Sequence, residues 1–302
     1  MPEDRFLQAN GTLKNLLGFT GARELAVAET DYAAQGLAEI QSGQAPVDTR
    51  GRFDLAHLKA IHRHLFQDVY EWAGTTRAEP TTLEGETFRQ RPLLMKGTTT
   101  FEPSNRVNRK LDTAFEQLKD SGYLHGLSRH DFTFQAADLF VQINTAHAFR
   151  EGNGRTQREF ITQLADQAGH PLSFEVVSRE RMTVASYDGV QGDPGTMRRL
   201  FDEISDPDRV DVLARAVQYL EGAHGVEWHE LYVASNTQEQ GYAGQLVITK
   251  PGFFVLSSGG DVIVGHPQDL PDGHGSRVSL QASAFPGYDE STHPRLERGL
   301  EF

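Results

Sequence analysis

Over the first two hundred or so residues the apolar positions recur with helical spacing; after about residue 205 they do not. Asp54 is a good N-cap residue, and behind it Leu55, Leu58, Ile61 and Leu65 share one face, which predicts a helix running to about Trp72 and stopping at Gly74. A second helix is expected near 105–119. A third begins after Ser128, with Phe132, Ala136, Leu139, Phe140 and Ile143 as its stripe; Ala137 and Val141 leave it little polar surface, so it should be deeply buried and end near Thr145. Another starts about Arg155, turns Phe160, Ile161, Leu164 and Ala165 inward and meets a cap at Gly169. The stretch 77–103 breaks this rhythm. It is rich in Thr, Gly and Pro, places Glu84-Gly85-Glu86 at a turn, and reads as a hairpin or an ordered loop.

The texture changes after Ser205-Asp206-Pro207. One more helix is expected over 210–220. Short runs at 231–234, 245–249, 253–256, 262–264 and 278–280, punctuated by Gly and Pro, then read as a small antiparallel β module, a barrel or an OB-like sheet. The expected fold class is mainly α. Its parts are a helical domain over 1–205, a connecting helix and β domain over 206–290, and a tail over 291–302. A chain of 302 residues suits two such cores.

Composition narrows the chemistry. The formal charge of −13 argues against non-specific nucleic-acid binding, and 228–280 has no basic-aromatic stripe, so a nucleic-acid partner is not expected. The absence of cysteine removes disulfides, thiolate nucleophiles and cysteine-ligated metals. No apolar run approaches the ~20 residues of a membrane span. Met1-Pro2-Glu3-Asp4-Arg5 lacks the plan of a Sec signal peptide, so synthesis in a cytoplasm is expected. Export into a host or recipient cell by a system that reads another signal stays open.

The informative segment is His147-Ala148-Phe149-Arg150-Glu151-Gly152-Asn153-Gly154-Arg155-Thr156-Gln157-Arg158. It is a polar loop between two apolar helices that feeds directly into a helix N-terminus, where unpaired N–H groups and the helix dipole favour an anion. Gly152 and Gly154 allow close backbone approach and positive φ, which makes a nest suited to phosphate. Arg155 and Arg158, three apart, share a face and reach further phosphate oxygens. Glu151 is a hard oxygen donor for Mg²⁺. His147, at the end of the preceding helix, is a candidate general base. Together these groups describe phosphoryl or nucleotidyl transfer. By contrast, His62 and His64 are two apart and face away from each other on a helix, and His229-Glu230 lacks a second histidine; neither makes a metal site.

The segment resembles the signature of the Fic family, His-x-Phe-x-(Asp/Glu)-Gly-Asn-Gly-Arg-x-x-Arg, at every defined position. The stretch from Gly51-Arg52-Phe53-Asp54 to Glu71-Trp72-Ala73-Gly74 is similar to the family's upstream helix. The resemblance runs over roughly residues 10–205 and is strongest to the Bep-type effectors of Bartonella type IV secretion and related conjugation toxins. In Bep proteins an OB-like domain comes after the Fic core, as 205–280 does here.

The resemblance implies a Fic-fold core with a β-hairpin flap, and transfer of AMP from Mg-ATP to a Tyr, Thr or Ser hydroxyl of a target protein. His147 would be the base, Phe149 the loop's anchor and Glu151 the Mg²⁺ ligand. Gly152, Asn153 and Gly154 would form the anion hole, and Arg155 and Arg158 would orient the outer phosphates. Thr156 and Gln157 lie in the same nucleotide-binding stretch. The flap, about 81–97, would pin the target by strand addition, with Gly85, Glu86, Thr87 and Phe88 edging the nucleotide.

Ala148 stands where most members have Pro, which loosens the turn without removing a chemical group. Gly154 stands where phosphotransferring relatives have Lys, which favours AMP transfer. The family's inhibitory pattern (Ser/Thr)-x-x-x-Glu-(Gly/Asn) fits neither Glu84-Gly85 nor Glu221-Gly222, which have Pro80 and Val217 four residues earlier, so a separate small antitoxin-like inhibitor is expected. Two alternatives stay open: transfer of UMP, phosphocholine or phosphate, and a nucleotide-binding interaction module without turnover.

Overall fold

The computed structural model describes residues 4–97, 99–223, 225–237 and 240–281. The expected tail, 291–302, and the β domain beyond 281 lie outside the described residues. The helices are α1 (Ala22–Ser42), α2 (Leu55–Phe66), α3 (Val107–Asp120), α4 (Arg129–Ala146), α5 (Asn153–Ala168), α6 (Arg179–Val190), α7 (Gly195–Ile204) and α8 (Pro207–Glu221). The strands are β1 (Pro80–Leu83), β2 (Glu86–Arg89), β3 (Met95–Lys96), β4 (Thr99–Thr100), β5 (Val233–Ser235), β6 (Tyr242–Lys250), β7 (Phe253–Ser258), β8 (Asp261–Gly265) and β9 (Arg277–Leu280). Contacts divide the chain into two units. One holds 1–126 and 142–169, including the last turn of α4; the other holds 127–141 and everything from 170 on.

In the first unit, α2 is the central element, packed by α1, α3 and α5. The Asp54 carboxylate accepts the His57 N–H at 2.8 Å and starts it. Gly36 lets α1 approach closely, since a Cβ there would lie 3.3 Å from the Leu65 Cα. Phe160 of α5 packs against Phe53 and Phe115, with centroids 5.6 and 5.1 Å away. α2 ends at Phe66 rather than near Trp72, and the reason is tertiary. The Leu16 N–H donates to the Val69 carbonyl at 2.9 Å, and the Val69 and Tyr70 N–H groups both donate to the Phe66 carbonyl. The resulting turns stack the Tyr70 and Trp72 rings 4.5 Å apart.

The expected hairpin is β1–β2, with Leu83 opposite Glu86 across a two-residue turn. Glu84 and Gly85 have φ of 52° and 80°, the positive values a type I′ turn demands. Thr81 and Leu83 face the body and are buried, whereas Thr82, Thr87 and Arg89 are exposed. β3 and β4 form a second, shorter pair within the 77–103 stretch.

In the second unit the sheet runs β5-β8-β7-β6-β9. It is antiparallel as expected except that β5 joins β8 in parallel. Its apolar face includes Phe254, Leu256, Ile263, Val278 and Leu280. α8 starts on Asp206, whose carboxylate caps the N–H groups of Asp208 and Arg209 ahead of Pro207. β5 is tied to the helices by a buried ion pair. Arg181 of α6 donates to both Glu203 oxygens at 2.8 and 2.6 Å, and the Ser235 N–H donates to Glu203 at 2.8 Å. Burial alone would raise the Glu203 pKa, but the Arg181 guanidinium holds it below the usual carboxylate range.

An Arg181→Met variant strands that carboxylate in the core. We expect it to lose about 3–5 kcal/mol of stability in urea unfolding, most of which returns in Arg181→Met/Glu203→Leu.

Candidate active site

The loop 147–152 joins α4 to α5 within the first unit, and each of its ends is bent. His147 has φ of 45°, an uncommon value for a residue other than glycine, and closes α4 with its N–H still on the Ile143 carbonyl at 3.1 Å. Such a bend persists only where its surroundings enforce it. Arg77 does so. Its Nε donates to the His147 carbonyl at 2.7 Å, its Nη2 to the Ala146 and Glu102 carbonyls at 2.9 and 2.8 Å, and its own N–H to the Ala148 carbonyl at 2.7 Å. Burial lowers the Arg77 pKa to about 10, with Glu102 opposing, so it stays cationic at the carbonyl end of α4, where a cation is favoured. The His147 ring stacks on Phe101 with centroids 3.9 Å apart. Ala148 is buried.

At the far end, Gly152 has φ of 82°, and a Cβ there would sit 2.4–3.0 Å from the Phe66 ring, so glycine is required twice over. The middle of the loop is clamped. The Phe149 N–H donates to Asn153 Oδ1, and Asn153 Nδ2 donates back to the Phe149 carbonyl, both at 2.8 Å. The Phe149 ring stacks on His62, 3.8 Å between centroids at 18°. His62 Nδ1 accepts the Gly74 N–H at 2.8 Å, so its Nε2 carries the proton and donates to the Glu151 carbonyl at 3.0 Å. Burial lowers the His62 pKa to about 3, so a neutral imidazole is the strut beneath the loop.

Above this frame lies the start of α5. The N–H groups of Asn153, Gly154 and Arg155 have no acceptor among the described residues. Gly152 donates its N–H to Glu151 Oε1 at 3.1 Å. A Cβ on Gly154 would meet only Arg158 Nη1, at 3.5 Å, so nothing in the chain itself demands glycine there. The two arginines differ. Arg155 donates to the Glu29 carboxylate of α1, whose other oxygen takes the Tyr70 hydroxyl, and lies over the Phe66 ring at 4.9 Å. Arg158 has no acidic partner among the described residues; burial lowers its pKa, and Arg155 lowers it further.

His147, Glu151, Gly152, Asn153, Gly154, Arg155 and Arg158 are therefore together on one loop and helix start. Thr156 and Gln157 are there too, but their side chains turn inward: Thr156 Oγ1 donates to the Gly152 carbonyl at 3.0 Å, and Gln157 Nε2 to Asn144 at 3.3 Å. Gly85, Glu86, Thr87 and Phe88 lie on the hairpin and make no hydrogen bond, ion pair or ring contact with 147–158. The link between them is Phe6, 5.4 Å from the Phe88 ring and 5.7 Å beneath the Arg150 guanidinium. Arg77, Phe101, Glu29 and Phe6 carry no motif of their own, and no spacing in the sequence marks them.

Among the described residues no group of three or more His, Asp and Glu could hold a metal ion, and no helix is long and apolar enough to cross a membrane. The Glu151 carboxylate adjoins the unpaired N–H groups of 153–155. That donor set fits a hard ion carried in with phosphate oxygens, of the kind Mg²⁺ takes, and not an all-protein cage.

Replacing Gly152 by Ala is expected to cost about 2–4 kcal/mol, roughly 1–2 from the left-handed backbone and the rest from overpacking against Phe66. Chemical denaturation of Gly152→Ala/Phe66→Leu should recover only the packing share. His62 makes a pH prediction. Above pH 6.5 the imidazole is neutral both folded and unfolded. Below it the unfolded chain takes a proton that the folded one refuses until about pH 3. Stability should fall through that window by up to about 1.4 kcal/mol per pH unit, and denaturation of His62→Gln across pH should lack this contribution.

Residues 52–165 match the model of the Fic/DOC family. The chain is 32% identical over 264 residues to the Bartonella henselae protein named protein adenylyltransferase, an overlap of 86% of this chain and 47% of that one; it thus spans about half of that relative's length. In structure it is similar to the type IV secretion system effector protein BepA, with a TM-score of 0.83 and 30% identity over 94% of this chain and 97% of that one. It is also similar to Bartonella tribocorum BepC with bound AMPPNP, with a TM-score of 0.62 and 31% identity over 67% of this chain and 96% of that one. With its signature loop formed and nearly all of the BepA structure matched, the chain belongs to the Fic/DOC family.

Proposed function

We propose that this chain is a protein adenylyltransferase that moves AMP from Mg-ATP to a Tyr, Thr or Ser hydroxyl of another protein. The observation that carries the reading is Arg158. A half-buried guanidinium beside a second arginine, with no carboxylate among the described residues to balance it and three unpaired N–H groups one turn away, is an electrostatic arrangement completed by a polyanion. The naming of the Bartonella henselae relative and the AMPPNP bound to BepC support ATP as that polyanion.

In this reading the phosphates lie on the N–H groups of 153–155, with Arg158, and Arg155 beside it, toward the outer ones. The target's hydroxyl oxygen bonds to the α-phosphorus as the bond to the β-phosphate oxygen breaks, and pyrophosphate leaves. The hydroxyl proton passes to a ring nitrogen of His147, whose orientation the Phe101 stack fixes. The nest and Arg158 stabilise the charge that develops. Glu151 would hold the Mg²⁺, which supplies further charge neutralisation when bound. The target docks on the β1–β2 hairpin. The chain is made in a bacterial cytoplasm and acts after passage into another cell, a reading that its likeness to the type IV secretion system effector protein BepA supports. The chain beyond about residue 205 adds a β module to this enzyme, and a separate small protein supplies inhibition.

The test is label transfer into bacterial and eukaryotic lysates, with ATP labelled on the α- or the γ-phosphate. We expect protein labelled from the α position only. His147→Ala should lose about a hundred- to ten-thousandfold in rate. Arg158→Ala should weaken ATP binding by roughly ten- to a hundredfold, the loss of about 1.5–3 kcal/mol of charge-assisted hydrogen bonding. Label from the γ position would replace the reading with phosphotransfer, and none from either would end it.

A further inference from the structure

Residues 4–16 join the hairpin to the loop. The segment folds back on itself: Leu7 bridges Leu13, the Lys14 N–H donates to the Phe6 carbonyl at 2.8 Å, and the Gln8 N–H donates to the Thr12 carbonyl at 2.8 Å. Leu16 then fixes it to the turn after α2, through the Val69 carbonyl. On one side the segment holds the hairpin. Lys14 pairs with Glu84 at 2.7 Å, Arg5 pairs with Glu86 at 3.5 Å, and the Arg5 guanidinium lies over the Phe88 ring at 5.1 Å. On the other side Asp4 pairs with Arg150 of the loop at 3.2 Å.

Phe6 is the centre of this clasp and is buried. Its ring meets Phe88 of β2 edge-on at 5.4 Å and Trp72 edge-on at 5.8 Å, and the Arg150 guanidinium lies over it at 5.7 Å. These three neighbours come from the hairpin, the turn after α2 and the active-site loop. Trp72 in turn lies 5.8 Å from His62, the strut under Phe149. Among the described residues, 80–89 make no hydrogen bond, ion pair or ring contact with 147–158, so β2 meets the loop through this ring.

A lone two-stranded hairpin has little stability of its own, and its direction is set by what packs against it. Its base is fixed by Arg77, three residues before β1, which donates to the carbonyls of His147 and Ala148. Its turn is fixed by Glu71, whose carboxylate accepts the Glu84 N–H at 2.9 Å. Beyond its pairing with β1, the ring and charge contacts of β2 among the described residues are to Arg5 and Phe6.

We propose that Phe6 is a positioning residue for adenylyl transfer. It sets the spacing and angle between β2 and the loop, so that a hydroxyl held at the hairpin meets the α-phosphate, and it transmits a shift of Arg150 to the hairpin. This rests on the reading of the chain as an adenylyltransferase whose target docks on the hairpin. Misplacing a reacting group by about 1 Å costs on the order of a hundredfold in rate, even when the altered residue is remote from the chemistry.

The chain has no cysteine, so pairs of spin labels can be placed on it without background. Thr87→Cys with Thr30→Cys reads the hairpin against α1; Thr30→Cys with Thr113→Cys reads α1 against α3 as a control. All three threonines are exposed. The otherwise unaltered chain should give one narrow distance for each pair. Phe6→Ala should widen the hairpin distribution about twofold and leave the control narrow, and Phe6→Leu, which keeps most of the buried volume, should fall between. Arg150→Gln should widen the hairpin distribution too, although Arg150 pairs with Asp4 and Phe6 and not with the hairpin. Phe6→Ala/Arg150→Gln should be no wider than Phe6→Ala alone, because both changes break one chain of contacts. In the lysate assay with α-labelled ATP, Phe6→Ala should lower transfer into protein roughly tenfold or more, while the ATP concentration for half-maximal transfer moves by less than about twofold. An unchanged hairpin distance in Arg150→Gln, undiminished transfer in Phe6→Ala, or equal widening of both label pairs in every variant would overturn the proposal. The expected widening with no label from the unaltered chain would instead count against adenylyl transfer and leave the coupling of hairpin to loop standing.

Discussion

The stack of Phe149 on His62 is the contact on which the site depends. A polar loop between two buried helices has no apolar reason to adopt one shape, and its main-chain groups would ordinarily be solvated in many. One buried aromatic ring removes that freedom. Phe149 lies flat on His62, Asn153 closes a reciprocal pair of hydrogen bonds around it, and His62 reaches past the ring to the Glu151 carbonyl. The strut works because it is neutral: one nitrogen accepts from Gly74 and the other donates to the loop. With the shape fixed, the N–H groups of 153–155 at the start of α5 stay without an acceptor among the described residues.

Charge is distributed to the same end. The protein is strongly acidic, yet its site is basic, and the two are reconciled locally. Arg155 is balanced by Glu29, which also holds Tyr70, so this arginine ties α1 to the loop as much as it adds positive charge to it. Arg158, a turn further on, has no acidic partner among the described residues. Arg77 is satisfied by carbonyls rather than carboxylates, which gives it a mechanical use: it locks the left-handed bend at His147. The hairpin repeats the scheme, with Glu84 paired to Lys14, Glu86 to Arg5, and Arg89 without an acidic partner among the described residues.

Much of this was legible in the sequence wherever chemistry is local. The helical spacing of Phe132, Phe140 and Ile143, the Asp54 cap, the turn at Glu84-Gly85 and the nest-forming run from Glu151 to Arg158 each depend on neighbours within a few residues. The end of α2 was not legible, because Leu16, more than fifty positions away, donates its N–H to the Val69 carbonyl. The parallel entry of β5 was hidden for the same reason: its partner, β8, lies beyond two intervening strands.

The sequence by itself determined that α2 to α5 and α8 are helices, the absence of thiol chemistry and the set of groups around the anion nest, since residue type and spacing along one loop decide what can donate, accept or carry charge there. Only the tertiary structure decided which of those groups are available. Asn153, Thr156 and Gln157 turn their side chains to the protein, Arg155 is shared with Glu29, and Arg158 has no acid among the described residues. That allocation is set by residues from α1, α2 and the Arg77 turn, brought to the loop by packing of apolar faces whose pattern fixes that they must be buried, but not beside what.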